Sequence, residues 1–279
     1  MSPASLSRRA TLTAIALGLS GCSFEKPNQP NAAQPDSDIS LASRAAGDIE
    51  HVLAQPIPAA LATLLQAHLG KLRAAIPKGS AMPQGQTASP TNAKSLHSAL
   101  LSYIPQARSG QLALLLCSMA AALDQQQFRG PNRTLSPITS QDTVMGPVAA
   151  LQTTLAAEHA AIYVLSACAA QTSRSKDRAG WRRFDQAVSA HIRQRDALSS
   201  ALGADQVPAE PAYALPHMKG PRGVDTAAQS VERACATTYG AQLAATPGDQ
   251  RLWAEGALRL SAVRQLMLRG SPETFPGIA

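Results

Sequence analysis

Apolar residues in this chain recur at alternating steps of three and four, the spacing that lays one stripe along a helix, and nowhere sustain the period of two that marks a strand. An all-α fold is predicted. Loops rich in Pro, Gly, Ser and Thr at 77–92, 129–146 and 203–220 cut the pattern into pieces. Helices are expected over 39–54, 57–76, 93–103 and 107–128 before the middle loop, and over 147–172, 179–202, 221–245 and 248–269 after it.

Three of these stripes carry a polar residue where a core residue belongs. Val148, Leu151, Leu155, Ile162, Leu165 and Ala169 form a seam interrupted by Glu158. His68 interrupts the stripe of Ile57, Leu61, Leu64 and Leu72, and His191 and Arg195 stand among Trp181, Phe184, Val188, Leu198 and Leu202. A charge in such a seam is costly unless a metal, a cation or a hydrogen-bond partner meets it.

Connection lengths then constrain topology. The short link between the fifth and sixth helices makes them antiparallel neighbours. The 203–220 segment, stiffened by Pro208, Pro211 and Pro216, can travel the length of a ~25-residue helix at ~3 Å per extended residue. That suits a four-helix bundle with one long crossover.

The chain is predicted to divide into a leader (1–21), a tether (22–38), a first helical bundle (39–128), a linker (129–146), a second four-helix bundle (147–273) and a tail (274–279). In the leader, Arg8-Arg9 precede a short apolar run from Thr11 to Leu19, which is an export signal rather than a membrane span. Leu19-Ser20-Gly21-Cys22 resembles the lipobox of bacterial lipoproteins, which implies cleavage before Cys22 and lipid on that cysteine. The arginine pair resembles a twin-arginine signal, and both that route and the general one stay open. The tether, with Pro27, Pro30 and Pro35 among polar residues, has too little apolar surface to fold.

The formal charge of +7 falls to about +5 once Arg8 and Arg9 leave with the leader. Arg174, Lys176, Arg178, Arg182 and Arg183 form a basic cluster between two helices. It reads as a solvated turn, with anionic lipid or envelope polymer as the alternative. No nucleic-acid motif appears, and no nucleic-acid partner is expected. Gly-x-Ser-x-Gly, phosphate-binding glycine loops and Cys-x-x-Cys are absent from the sequence, so hydrolase and nucleotide-dependent readings have no support.

The second half resembles the ferritin-like domain of unknown function of exported actinobacterial lipoproteins. The resemblance rests on the run from Leu155 to Tyr163 around Glu158-His159, the His191 helix with Arg195 to Leu198, the crossover Ala212 to Pro216, and the tail Arg269-Gly270-Ser271-Pro272 with Phe275-Pro276-Gly277. It implies a ferritin-like fold and no named activity.

Di-iron bundles take a Glu from each of two helices and a Glu-x-x-His pair from each of the other two. Glu158 and Glu232 suit the first requirement here. The pairs are each reduced to one member, His191 with Val188 three residues earlier and Glu255 with Leu258 three residues later. Glu158, His191, Glu232 and Glu255 could therefore hold one Fe, Mn or Zn ion, with His159 and Tyr163 orienting the ligands. Alternatively Arg195 and Arg259 satisfy the set as ion pairs and no cofactor is held. His68 is expected to be a hydrogen-bonded core residue.

If Glu158 and Glu232 share a layer, Cys168 and Cys235 differ in height by at least ~10 Å, so Cys117, Cys168 and Cys235 are predicted to be buried free thiols. The expectation is a membrane-anchored, extracytoplasmic lipoprotein whose degenerate ferritin-like bundle binds an envelope protein or ligand without catalysis. The alternative is a metal-binding or redox protein with a single-metal site.

Overall fold

The computed structural model describes residues 36–77, 90–128 and 143–278. Cys22, the leader and most of the tether lie outside them. The described residues form eight α-helices and no strand: α1 Asp36–Leu53, α2 Ala59–Ala75, α3 Ala93–Tyr103, α4 Gly110–Gln127, α5 Val148–Ala170, α6 Arg178–Leu202, α7 Gly220–Ala245 and α8 Leu252–Met267. Each expected helix is present, with its ends moved by a few residues.

Local chemistry sets several starts. Asn92 Oδ1 accepts from the Ser95 N–H at 2.9 Å, and Ser95 Oγ accepts in return from the Asn92 N–H at 3.2 Å, closing a capping box on α3. Ser109 caps α4, Asp177 caps α6, and Pro221 occupies the first turn of α7, where its missing N–H costs nothing.

In the first half α1 packs on α2 and α3, and α3 on α4; in the second α5 packs on α6 and α7, and α7 on α8. α4 joins the halves. It runs alongside α8, with Gln125 Nε2 donating to the Ala262 carbonyl, and against α7, where a Cβ added to Gly110 would lie 1.9 Å from the Ala244 carbonyl oxygen. This central position explains why α4 is buried on nearly all sides and shows no stripe.

Three contacts place the crossover. Gln152 near the start of α5 donates to the Asp205 carbonyl, the Tyr163 and Tyr213 rings meet at 5.6 Å, and Cys168 near the end of α5 lies 3.6 Å from Met218. The segment therefore follows α5 from end to end and starts α7 at the end where α6 started. α6 and α7 run parallel, and α5 and α8 run against them.

The tail binds both halves. His68, fully buried on α2, donates from Nε2 to the Thr274 carbonyl at 2.9 Å and packs on Phe275. The Glu273 N–H donates to Gln125 of α4, and Gly277 (φ 78°) sits where a Cβ would meet the Ala236 carbonyl and Leu258. Burial pulls His68 down to about 4, so it stays neutral as a core residue, despite its bond to Thr274 favouring the charged form.

Arg251, buried between α7 and α8, donates to the carbonyls of Leu243 and Thr246 at the end of α7 and of Ile104 and Ala107 at the α3–α4 turn. Beside it, Asp38 of α1 accepts from the N–H groups of Arg108 and Ser109. One guanidinium thus gathers carbonyls at the ends of two helices, where the helical ladder runs out of donors. Arg251→Leu is expected to destabilise by about 3 kcal/mol or more, with Arg251→Lys recovering little because an ammonium lacks the fork. Urea unfolding of the three proteins tests this; equal midpoints would refute it.

Candidate functional site

Glu158 of α5, His191 of α6 and Glu232 of α7 meet at the centre of the second half, all with zero exposure. Their heights follow from the topology. His191 lies thirteen residues beyond Arg178 and Glu232 twelve beyond Gly220, so parallel helices starting at one end bring them level. His191 Nδ1 is 2.7 Å from Glu158 Oε2 and Nε2 is 3.2 Å from Glu232 Oε1. With a carboxylate on each nitrogen, the ring is an imidazolium donating both ways.

The fourth helix supplies Arg264, which donates from Nε to both Glu232 oxygens at 2.9 and 3.1 Å. Ser261 Oγ lies 2.7 Å from Glu232 Oε2 and 2.8 Å from the Glu232 carbonyl oxygen, and Tyr239 donates to Glu158 Oε1. Two carboxylates, an imidazolium and a guanidinium cancel.

Burial alone would pull the His191 imidazolium down, but Glu158 and Glu232 outweigh it and hold the group at about 9. Burial pushes Glu232 up, and Arg264 and His191 bring it instead to about 2. Cys235, beside both carboxylates, has its thiol pushed well up by burial first and then by their charge. Such a thiol is inert as a nucleophile. Cys117, Cys168 and Cys235 are all buried and free.

Glu255 does not join the quartet. It lies nine residues before Arg264, about half a turn out of phase on α8, so the two side chains leave opposite faces. Glu255 turns towards the first half and accepts from Arg259 at 3.0 Å. Arg259 also grips Asp124 of α4 through Nε at 2.6 Å, and His97 of α3 lies 2.9 Å from Asp124. The Arg259–Glu255 pairing considered from the sequence is present.

The other expected neighbours are elsewhere. Arg195 pairs with exposed Asp196 rather than with His191. His159 is half-buried, its imidazolium disfavoured by burial and then by Arg195, and Tyr163 packs on Tyr213 at the surface. Sequence reasoning missed Arg264, Tyr239 and Ser261. Tyr239 had a signal, since it lies seven residues beyond Glu232 and so on the same stripe.

The arrangement does not fit an ion. The imidazolium has no lone pair to offer, and Arg264 covers both oxygens of Glu232, so a metal would have to deprotonate the one and displace the other. Among the described residues no group of three or more His, Cys, Asp or Glu side chains is arranged to hold one. Chemically the quartet is closed: it is buried, and each carboxylate oxygen of Glu158 and Glu232 has a protein donor.

These charges make stability depend on pH with a definite sign. His191, raised from 6.5 to about 9, contributes stability that is complete below pH 6.5 and is lost as pH climbs through 9. Glu232, lowered from 4.5 to about 2, contributes above pH 4.5 and loses it as pH falls through 2. Chemical unfolding from pH 6.5 to 9.5 is expected to show a falling limb on the order of 3 kcal/mol that is absent from His191→Gln. A limb of equal slope in that variant would assign it to other groups.

Residues 150–279, from the first turn of α5 to the C-terminal residue, match the family model of a domain of unknown function (DUF4439). No curated protein matches the chain, and no solved structure does.

Proposed function

We propose that this protein is an exported, lipid-anchored binding or interaction module on the extracytoplasmic face of the membrane. Its second half is read as a ferritin-like bundle in which an internal cation has taken the place of a metal, and not as a catalyst. Three lines support the reading: the leader whose last residues, Leu19-Ser20-Gly21, run into Cys22, the α5–α8 connectivity with one end-to-end crossover, and the closed quartet.

The observation that carries it is the Arg264 guanidinium lying across both oxygens of Glu232 while His191 bridges the two carboxylates. A redox or hydrolytic metal site keeps ligand lone pairs and an open position for substrate. Here every acceptor of Glu158 and Glu232 that faces the centre is bonded to a protein donor.

Full-length protein purified without chelator is expected to carry metal far below one equivalent. Stoichiometric metal that disappears in Glu158→Ala would overturn the reading in favour of the single-ion alternative. Arg264→Ala is a complementary test. The variant should lose about 3–5 kcal/mol, as when one partner of a buried ion pair is removed, and should then be stabilised by about 2 kcal/mol at a large excess of Co²⁺. Wild-type protein should show no such gain.

The anchor is tested separately. Protein expressed in a lipoprotein-processing bacterium is expected in the membrane fraction, carrying labelled fatty acid at Cys22, and Cys22→Ala is expected in the soluble extracytoplasmic fraction. Retention of label by the variant would remove the lipid reading.

A further inference from the structure

The end of the second half where α5 finishes and α6 and α7 begin collects cations that the sequence keeps far apart. Arg174, Lys176 and Arg178 lie in or beside the α5–α6 turn, and Arg182 follows on the first turns of α6. The crossover delivers Lys219 and Arg222 to the same place, because Met218 touches Cys168 in the last turns of α5 and Arg183 of α6 faces Asp225 of α7.

Acids at this end are already engaged or few. Asp177 accepts from the Gly180 N–H as the cap of α6, Asp225 lies between Arg183 and Arg269, and Asp185 stands alone among them. None of the six cations has a carboxylate within ion-pair distance among the described residues, and Arg174 instead lies over the Trp181 ring at 4.7 Å. All six are exposed. The opposite end holds Asp38, Asp205 and Asp249, and of its arginines Arg251 is buried against carbonyls while Arg108 is exposed.

α1 enters the body at that opposite end, where Asp38 meets Arg108 and Ser109 beside Arg251. A chain anchored at Cys22 would have only the residues between Cys22 and Asp36, about 50 Å when fully stretched, with which to turn the basic end back to its own membrane. α7 alone is about 39 Å long. Turning the basic end to the bilayer would take that stretch of chain close to full extension, which costs chain entropy, so the favoured orientation holds the basic end away from the membrane.

From this placement we infer that the basic end is the docking surface for a linear polyanion bearing repeated phosphate groups, outside the bilayer. The inference rests on reading the protein as a binding module and gives that module's partner a chemistry. Four of the six cations are arginines, whose planar forks match two oxygens of one phosphate. Cations spread over two helix starts and a turn engage successive groups of a chain better than one small anion.

The test uses the full chain carrying Cys22→Ser, which takes no lipid, with long-chain polyphosphate as the probe at about 50 mM salt. Poly-glutamate and phosphatidylglycerol vesicles serve as competing sources of negative charge. Polyphosphate should bind most tightly, with log K falling with log salt at a slope of about three or more. Reversal of Arg178, Arg182, Lys219 and Arg222 to Glu should weaken binding about a hundredfold or more, while Lys94→Glu with Arg193→Glu, exposed cations elsewhere, should change it little.

Equal loss in the control pair would show diffuse charge and overturn the site. Equal or tighter binding of poly-glutamate or vesicles would overturn the phosphate-polymer assignment, and no polyphosphate binding would overturn both. The wild-type salt slope and probe ranking stand even if the reversed variant misfolds. Metal content is independent of every arm, so failure here is distinguishable from failure of the closed-quartet reading.

Discussion

Two carboxylates brought into a dehydrated interior repel each other and resist leaving water, and the second half of this protein is arranged around how that charge is cancelled. Glu158 and Glu232 are joined by one imidazolium and backed by one guanidinium, all buried. The cancellation depends on topology. Glu232 is level with His191 only because the crossover returns the chain to the end where α6 began, and Glu158 reaches the same layer because α5 runs the other way.

A quartet of this kind is not the strongest way to fill a core. A buried ion pair contributes little beyond what well-packed apolar residues of the same volume would, whereas losing one partner is costly. Its effect here is on register. The core is rich in alanine, and small flat faces slide and rotate against each other at little cost. Hydrogen bonds from α6 to α5 and α7, and from α8 to α7, can all be made in one rotational setting only, so the quartet fixes what the alanines leave loose.

The helices were legible because a three-four period punctuated by proline-rich loops is a strong signal, and Glu158 and His191 because each breaks such a period. Arg264 was not. α8 is buried on nearly every side, so its sequence shows no stripe from which to choose a face. α8 offers two arginines, Arg259 and Arg264, and one glutamate, and a comparison with metal ligands favoured Glu255. The nine-residue spacing does say that Glu255 and Arg264 cannot both face the quartet. Which one does is decided by α4, whose Asp124, together with His97 of α3, claims Arg259 and so turns Glu255 to the first half.

That division of α8 bears on what the fold unit is. One face of the helix is held by Glu232 through Arg264 and Ser261, and the other by Asp124 through Arg259, with the tail stretched over His68 and Gln125. The stretch matched by the family model thus contains charged and apolar surface that only α2, α3 and α4 cover. Cut free of them, α8 would expose Arg259 and Glu255 without Asp124, and Gly240 of α7 would lose the cover of Leu114. The rotation of α8 that aims Arg264 at Glu232 is set from outside the bundle it completes, so the first half is part of what keeps the central charges neutral.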